Sequence, residues 1–189
     1  MKIKFFIWLV HQRKILTWEN TLKKGFIGPS KCYLCEQEET MDHLLNLCPF
    51  TSIVWEWVAS TFSHTNRDRL NISNTLKNWR KNFSRNEIVN RAWTLIPGFV
   101  IWNLWKEHNS QIFKNKASKP HHIIDQILRK LKDTISSLLR TLPKDPPLPQ
   151  DASILLHLGL QSISPQGIIK GVSQINSDIN IWKPPPYGS

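Results

Sequence analysis

The chain has 189 residues and a formal net charge of +11, from 25 Lys and Arg against 14 Asp and Glu. Forty per cent of the residues are hydrophobic, with nine tryptophans and eight phenylalanines, which excludes a wholly disordered chain. The longest apolar run, Phe5 to Val10, is far short of the ~20 residues that cross a bilayer.

Residues 3–13 read as a buried or strongly amphipathic helix. His11, Gln12, Arg13 and Lys14 follow its apolar run without a small-residue cleavage site, so a folded helix rather than a secretory leader is expected there. Thr17 is placed to cap a second short helix ending at Gly25, with Lys23 and Lys24 in its last turn, where cations suit the dipole. Gly28-Pro29-Ser30 turns into a cysteine cluster. Leu44, Leu45 and Leu47 predict a short helix from about Thr40. Pro49 suits the first turn of the next, with Ile53, Val54, Trp57 and Val58 at helical spacing.

Residues 63–72 read as a polar loop. Ile72, Leu76, Trp79 and Phe83 then recur at helical intervals. Residues 86–113 are apolar and helical in pattern, and Pro97-Gly98 is expected to kink or break that helix. Ser118 is placed to cap a helix with Pro120 in its first turn. That helix carries Ile123, Ile124, Ile127, Leu128, Leu131, Ile135, Leu138 and Leu139. Residues 143–149 read as a proline-rich extended linker, residues 152–158 as one weak helix, and residues 159–189 as a mobile tail. Strand signals are poor throughout. The expectation is an all-α fold with a small irregular zinc-binding loop, divided as 1–62 (zinc-binding core), 63–142 (helical continuation) and 143–189 (linker and tail).

Charge is distributed unevenly. Residues 1–31 hold seven basic side chains and one acid, residues 32–62 hold five acids and no Lys or Arg, and residues 63–116 hold ten bases and three acids. Basic regions flanking an acidic one favour a polyanion, nucleic acid first. Arg80, Lys81, Arg85 and Arg91 are the candidate phosphate contacts. The competing reading of these four is a solvated helical face. Trp93, Trp102 and Trp105 are candidate stacking platforms, although the apolar stripe around them favours the core.

All three cysteines lie between positions 32 and 48. An odd number so clustered argues against disulfides and for a metal site in a reducing compartment. Cys32 and Cys35 form a Cys-x2-Cys turn, and His43 and Cys48 follow at ligand-like spacing. Three thiolates and one imidazole make a closed tetrahedron for one structural Zn2+, with no open position for chemistry. The competing reading is three buried reduced cysteines beside an incidental histidine. His121-His122 is not a metal pair, since adjacent helical residues point apart. Glu36, Glu38, Glu39 and Asp42 make the knuckle acidic, so the flanks are the better phosphate contacts.

Lys4-Phe5-Phe6-Ile7-Trp8-Leu9, Ile15-Leu16-Thr17, Leu22-Lys23-Lys24-Gly25, Cys32-x2-Cys35, Glu38-Glu39-Thr40-Met41-Asp42-His43-Leu44-Leu45 and Cys48-Pro49-Phe50, closed by Trp55, together resemble the zinc-binding domain of reverse transcriptases. The version is that of plant LINE-type (non-LTR) retrotransposons. The resemblance covers residues 4–57 and extends in weaker form to about 116 through Trp102-Asn103-Leu104-Trp105-Lys106-Glu107-His108-Asn109. His108 stands where the family more often has arginine. Trp182-Lys183-Pro184-Pro185-Pro186-Tyr187-Gly188 resembles the lead-in to a ribonuclease H domain.

The resemblance implies a non-catalytic connector between polymerase and ribonuclease H domains, with RNA or DNA as partner. The sequence contains no Tyr-x-Asp-Asp motif, no clustered carboxylates for Mg2+ apart from those beside the knuckle, and no glycine-rich phosphate loop. No enzymatic activity is expected. The alternatives are a structural or protein-interaction spacer, pairing with polymerase or ribonuclease H domains, and a truncated retroelement remnant without selected function. A soluble intracellular protein is expected, and a nuclear location is compatible with the resemblance.

Overall fold

The computed structural model describes residues 2–28, 30–62, 71–79, 86–138 and 151–159. These form seven α-helices and one π-turn. They are α1 (Lys2–His11), α2 (Trp18–Leu22), the π-turn (His43–Leu47), α3 (Pro49–Thr61), α4 (Ile72–Trp79), α5 (Glu87–Lys114), α6 (Pro120–Leu138) and α7 (Ala152–His157). Among the described residues, extended pairing is limited to one isolated bridge between Lys31 and Glu38. The fold is all-α with a small irregular loop, as its periodicity predicts.

Helix α5 is the central element, 28 residues long and therefore about 42 Å at 1.5 Å per residue. Its start is capped by Asn86, whose side-chain oxygen accepts from the backbone N–H groups of Ile88 and Val89 at 3.0 and 3.1 Å. Its end is Asn115 in the left-handed region, at φ 49°. Helix α6 packs along α5 and also against α3. It buries Ile123, Ile124, Ile127, Leu131 and Ile135, the stripe expected from spacing. Helix α7 rests on α3, burying Ile154 and Leu155, and Leu158 follows them into the core.

The expected break at Pro97 does not occur, because α5 runs through it unbroken. Proline lacks the N–H that would have satisfied the carbonyl four residues earlier. Here that carbonyl, of Trp93, accepts instead from the indole Nε1 of Trp79 at 2.8 Å. The neighbouring Gly98 serves a separate end. A Cβ there would lie 3.0 Å from Ile7 Cδ1 and 3.2 Å from Ile3 Cγ2, so the missing side chain lets α1 sit close on α5. Phe6 of α1 then packs edge-on to Trp102 at 5.3 Å and stacks on Trp105 at 5.6 Å.

Helix α2 differs from expectation in its cap and its length. Thr17 occupies the N-cap position, but its hydroxyl makes no capping bond and is buried without a partner. The first N–H, of Trp18, goes to Glu39 Oε1 at 2.9 Å. The helix ends at Leu22, and the chain turns through Gly25 at φ +83°. Ser118 likewise enters through its backbone rather than as a side-chain cap. Its backbone N–H donates to Glu107 Oε1 at 2.6 Å, and α6 begins at Pro120. The expected loop over 63–70, Phe83, Leu139, the linker at 143–149 and the tail from 160 onward lie outside the described residues.

Candidate metal centre

The cysteine turn is held by its own backbone. Cys32 N–H donates to Gln37 O at 2.7 Å, while Cys35 and Glu36 both donate to Cys32 O, at 3.3 and 2.7 Å. Glu36 takes φ 65° to close the turn. The Lys31–Glu38 bridge and the Glu39 N–H to Ser30 O bond at 2.7 Å seal its base. Cys32 and Cys35 are thereby presented on one side of a tight loop.

The other two ligands come from the π-turn. Thr40 caps it by accepting from His43 N–H at 3.0 Å on its hydroxyl. The chain then winds wide, and Cys48 N–H reaches back five residues to His43 O at 2.7 Å. Wider winding shifts the partners of neighbouring carbonyls, and side chains of α3 take them. Thr51 Oγ1 donates to Leu44 O at 2.8 Å, and Trp55 Nε1 to Leu45 O at 2.9 Å. The expected short helix is therefore present, but its winding places His43 at one end and Cys48 at the N-cap of α3.

One ligand atom each from Cys32, Cys35, His43 and Cys48 lies within 4.8 Å of all the others. The Cys35 sulfur is 3.1 Å from His43 Nε2. Zinc–sulfur and zinc–nitrogen bonds of about 2.3 and 2.0 Å place tetrahedral donors about 3.5–3.8 Å apart, so the cluster needs only small adjustment around an ion. Cys32, His43 and Cys48 are buried and Cys35 is partly so. Cys48, at the head of α3, is held down to about 5 by the Cys32 thiol against the opposing effect of burial, helped by the N–H groups of Thr51 and Phe50. The same hydrogen bond pushes Cys32 up, and burial pushes Cys35 up. One thiolate shared among three sulfurs is the metal-free form of a site that a dication completes. The donor set fits one structural zinc.

Residues 1–55 match the family model described as zinc-binding in reverse transcriptase. This segment matches a reverse transcriptase zinc-binding domain. The match includes all four ligands and the whole knuckle. No curated protein and no solved structure matches the chain. None of the described helices is long and apolar enough to cross a membrane.

Around this zinc-binding module the acids of the knuckle divide. Glu39 is 2% exposed. Its Oε2 meets His108 Nε2 of α5 at 2.8 Å, while its Oε1 caps α2. Asp42 pairs with Arg13 at 2.7 Å and accepts from Ile72 N–H, at the head of α4, at 3.0 Å. The paired carboxylate holds the Arg13 guanidinium above its ordinary range. Glu36 and Glu38 remain exposed. From sequence the four acids count only as negative charge on the knuckle, and the structural roles of Glu39 and Asp42 are not visible there. Spacing carries no signal for a contact 69 residues away.

The candidate phosphate contacts are less fully placed. Arg91 is exposed on α5 and pairs with Glu87 at 2.9 Å. Arg80, Lys81 and Arg85 lie outside the described residues. Trp93, Trp102 and Trp105 pack against the core while remaining partly exposed. His121 and His122 are exposed and belong to no metal-ligand group among the described residues.

Proposed function

We propose that the chain is the zinc-structured, non-catalytic connector of a plant-type LINE (non-LTR) reverse transcriptase. It contacts RNA or DNA through its basic flanks and leads toward a ribonuclease H domain. The observation that carries this reading is the closed three-sulfur, one-nitrogen cluster inside the segment that matches the family. A closed donor set stabilises the surrounding helices and leaves no coordination position for a reacting water. The charge pattern supports the nucleic-acid contact. Lys2, Lys4, Lys14, Lys24 and Lys31 are all exposed on the N-terminal flank.

The test is a titration of the zinc-loaded chain with single-stranded RNA between 50 and 200 mM salt. Phosphate contacts predict a linear fall of log K with log salt, with a slope of about −0.7 per phosphate neutralised. Affinity independent of salt would refute the phosphate contact.

A second reading, a protein-interaction spacer, is supported by uncovered aromatic surface. Phe5 and Trp8 are 60% and 51% exposed and stack on each other at 5.7 Å. Such a patch suits a neighbouring polymerase or ribonuclease H domain. Titrating purified domains of such an element against the chain and its Phe5→Ser/Trp8→Ser variant separates this reading from the first.

A further inference from the structure

A cavity of about 460 Å³ lies between the C-terminal half of α5 and the start of α6. None of the zinc ligands lines it. Its volume lies within the ~300–1,000 Å³ usual for small-molecule sites. Its lining combines three kinds of group.

The first is aromatic. Trp102 forms part of the wall and Phe113 part of the rim, and the Phe113 ring is 78% exposed. The second is cationic. Lys106 and Lys114 both line the cavity. Lys106 is partly buried, and burial together with the nearby Lys130 pushes its ammonium below the ordinary lysine range. Among the described residues no carboxylate pairs with it. The lining also holds one acid, Glu107, whose Oε1 accepts from Ser118 N–H at 2.6 Å and from Gln111 Nε2 at 2.9 Å, so the two lysines leave the lining net cationic. The third is amide. Gln126 and Asn103 line the cavity. Asn103 is 1% exposed and donates its Nδ2 to Phe99 O at 2.7 Å, leaving its Oδ1 without a partner.

We propose that this cavity binds a nucleotide unit, with the base against Phe113 and Trp102 and the phosphate on the lysines, Lys106 first. An aromatic face suits any base, which is why single-strand binders use it. Lys106 and Lys114 line the same cavity, and an anion seated there is attracted to both. Carboxamides supply the donors and acceptors that a base edge requires. This proposal deepens the nucleic-acid reading above and rests on it for the source of the nucleotide. The unit is either a free nucleotide or one residue of a single strand.

Calorimetric titration of the zinc-loaded full chain distinguishes the two, with adenosine 5′-monophosphate, an RNA octamer of adenylate and inorganic phosphate as probes. The variants are Lys106→Glu and Phe113→Ala, the second at an exposed ring whose removal leaves the core intact. Saturable binding of the monophosphate, weakened tenfold or more by each substitution, supports the cavity. A parallel loss for the octamer assigns the unit to a strand. Binding of the monophosphate without any binding of the octamer upholds the cavity and overturns the nucleic-acid reading. Salt-dependent octamer binding that both variants retain, with no monophosphate binding, upholds that reading and overturns the cavity. Phosphate binding as tight as the monophosphate reduces the site to an anion contact and overturns the proposal, as does failure of every probe.

Discussion

Trp79 donates its indole N–H to the carbonyl of Trp93 at 2.8 Å, across a ring contact of 5.1 Å. The bond replaces the one that Pro97 cannot make, so α4 completes the hydrogen bonding of α5 from outside. A proline inside a long helix is thereby turned into a docking point for its neighbour.

Trp79→Phe should leave the Trp93 carbonyl without that donor and destabilise the chain by about 1–3 kcal/mol. Pro97→Ala restores an N–H within the helix. It should therefore recover more stability in the Trp79→Phe background than in the original chain. Urea unfolding of the four proteins measures that non-additivity, and equal effects in both backgrounds would show that the two residues act independently.

Removing one zinc ligand should have a joint effect on metal and fold. His43→Ala is expected to take zinc content from one per chain toward none. A loss of about 3 kcal/mol would lower Tm by roughly 6–12 °C for a chain of this size. A chelator should produce the same drop in the original chain and add little in the variant. Elemental analysis beside thermal melts makes the comparison, and unchanged zinc with unchanged Tm would remove His43 from the ligand set.

The Glu39–His108 contact is buried on both sides, at 1% side-chain exposure each. Glu39→Gln and His108→Leu should each cost about 1–3 kcal/mol, since either leaves a buried polar partner behind. Their double mutant should cost less than the sum. Amide hydrogen exchange should show the loss of protection in both α2 and the C-terminal part of α5, because Glu39 also caps Trp18.

In the zinc-free chain, stability should depend on pH through Cys48. Its folded value of about 5 lies below the ~8.5 of a free thiol. The folded state then binds fewer protons than the unfolded state between those values. The contribution is full near pH 8.5, shrinks as pH falls, and is gone below about 5. Above 8.5 the raised Cys32 and Cys35 act in the opposite sense, so the gain stops there. Urea midpoints between pH 5 and 8.5 should rise for the original chain and flatten for Cys48→Ser.

The local features were legible in the sequence. The ligand spacing around Cys32, Cys35, His43 and Cys48 identified the cluster that the fold assembles, and the isoleucine stripe of α6 marked its buried face. Each depends on neighbours within a few turns of chain. Pro97 leaves α5 unbroken although proline often breaks a helix, because the freed carbonyl finds a donor 14 residues upstream. Thr17 misled for a related reason. A short polar side chain at an N-cap is a sound local signal, but the Asn20 N–H it would take goes to the Thr17 carbonyl instead, and Glu39 arrives from 21 residues away to hold the Trp18 N–H. The acids of the knuckle looked alike as letters, and only packing against α5 separates the buried Glu39 from the exposed Glu36 and Glu38.

The pairing of Glu39 with a histidine 69 positions later has a consequence for biosynthesis. All four ligands have been translated once Cys48 is made. At roughly 5–20 residues per second, position 108 follows about 3–12 s later. A nascent chain thus passes through a stage in which the ion can already be captured while the carboxylate at 39 still faces water. Arrival of the long helix then closes that side of the loop, so the order of synthesis leaves time for metal loading before that closure.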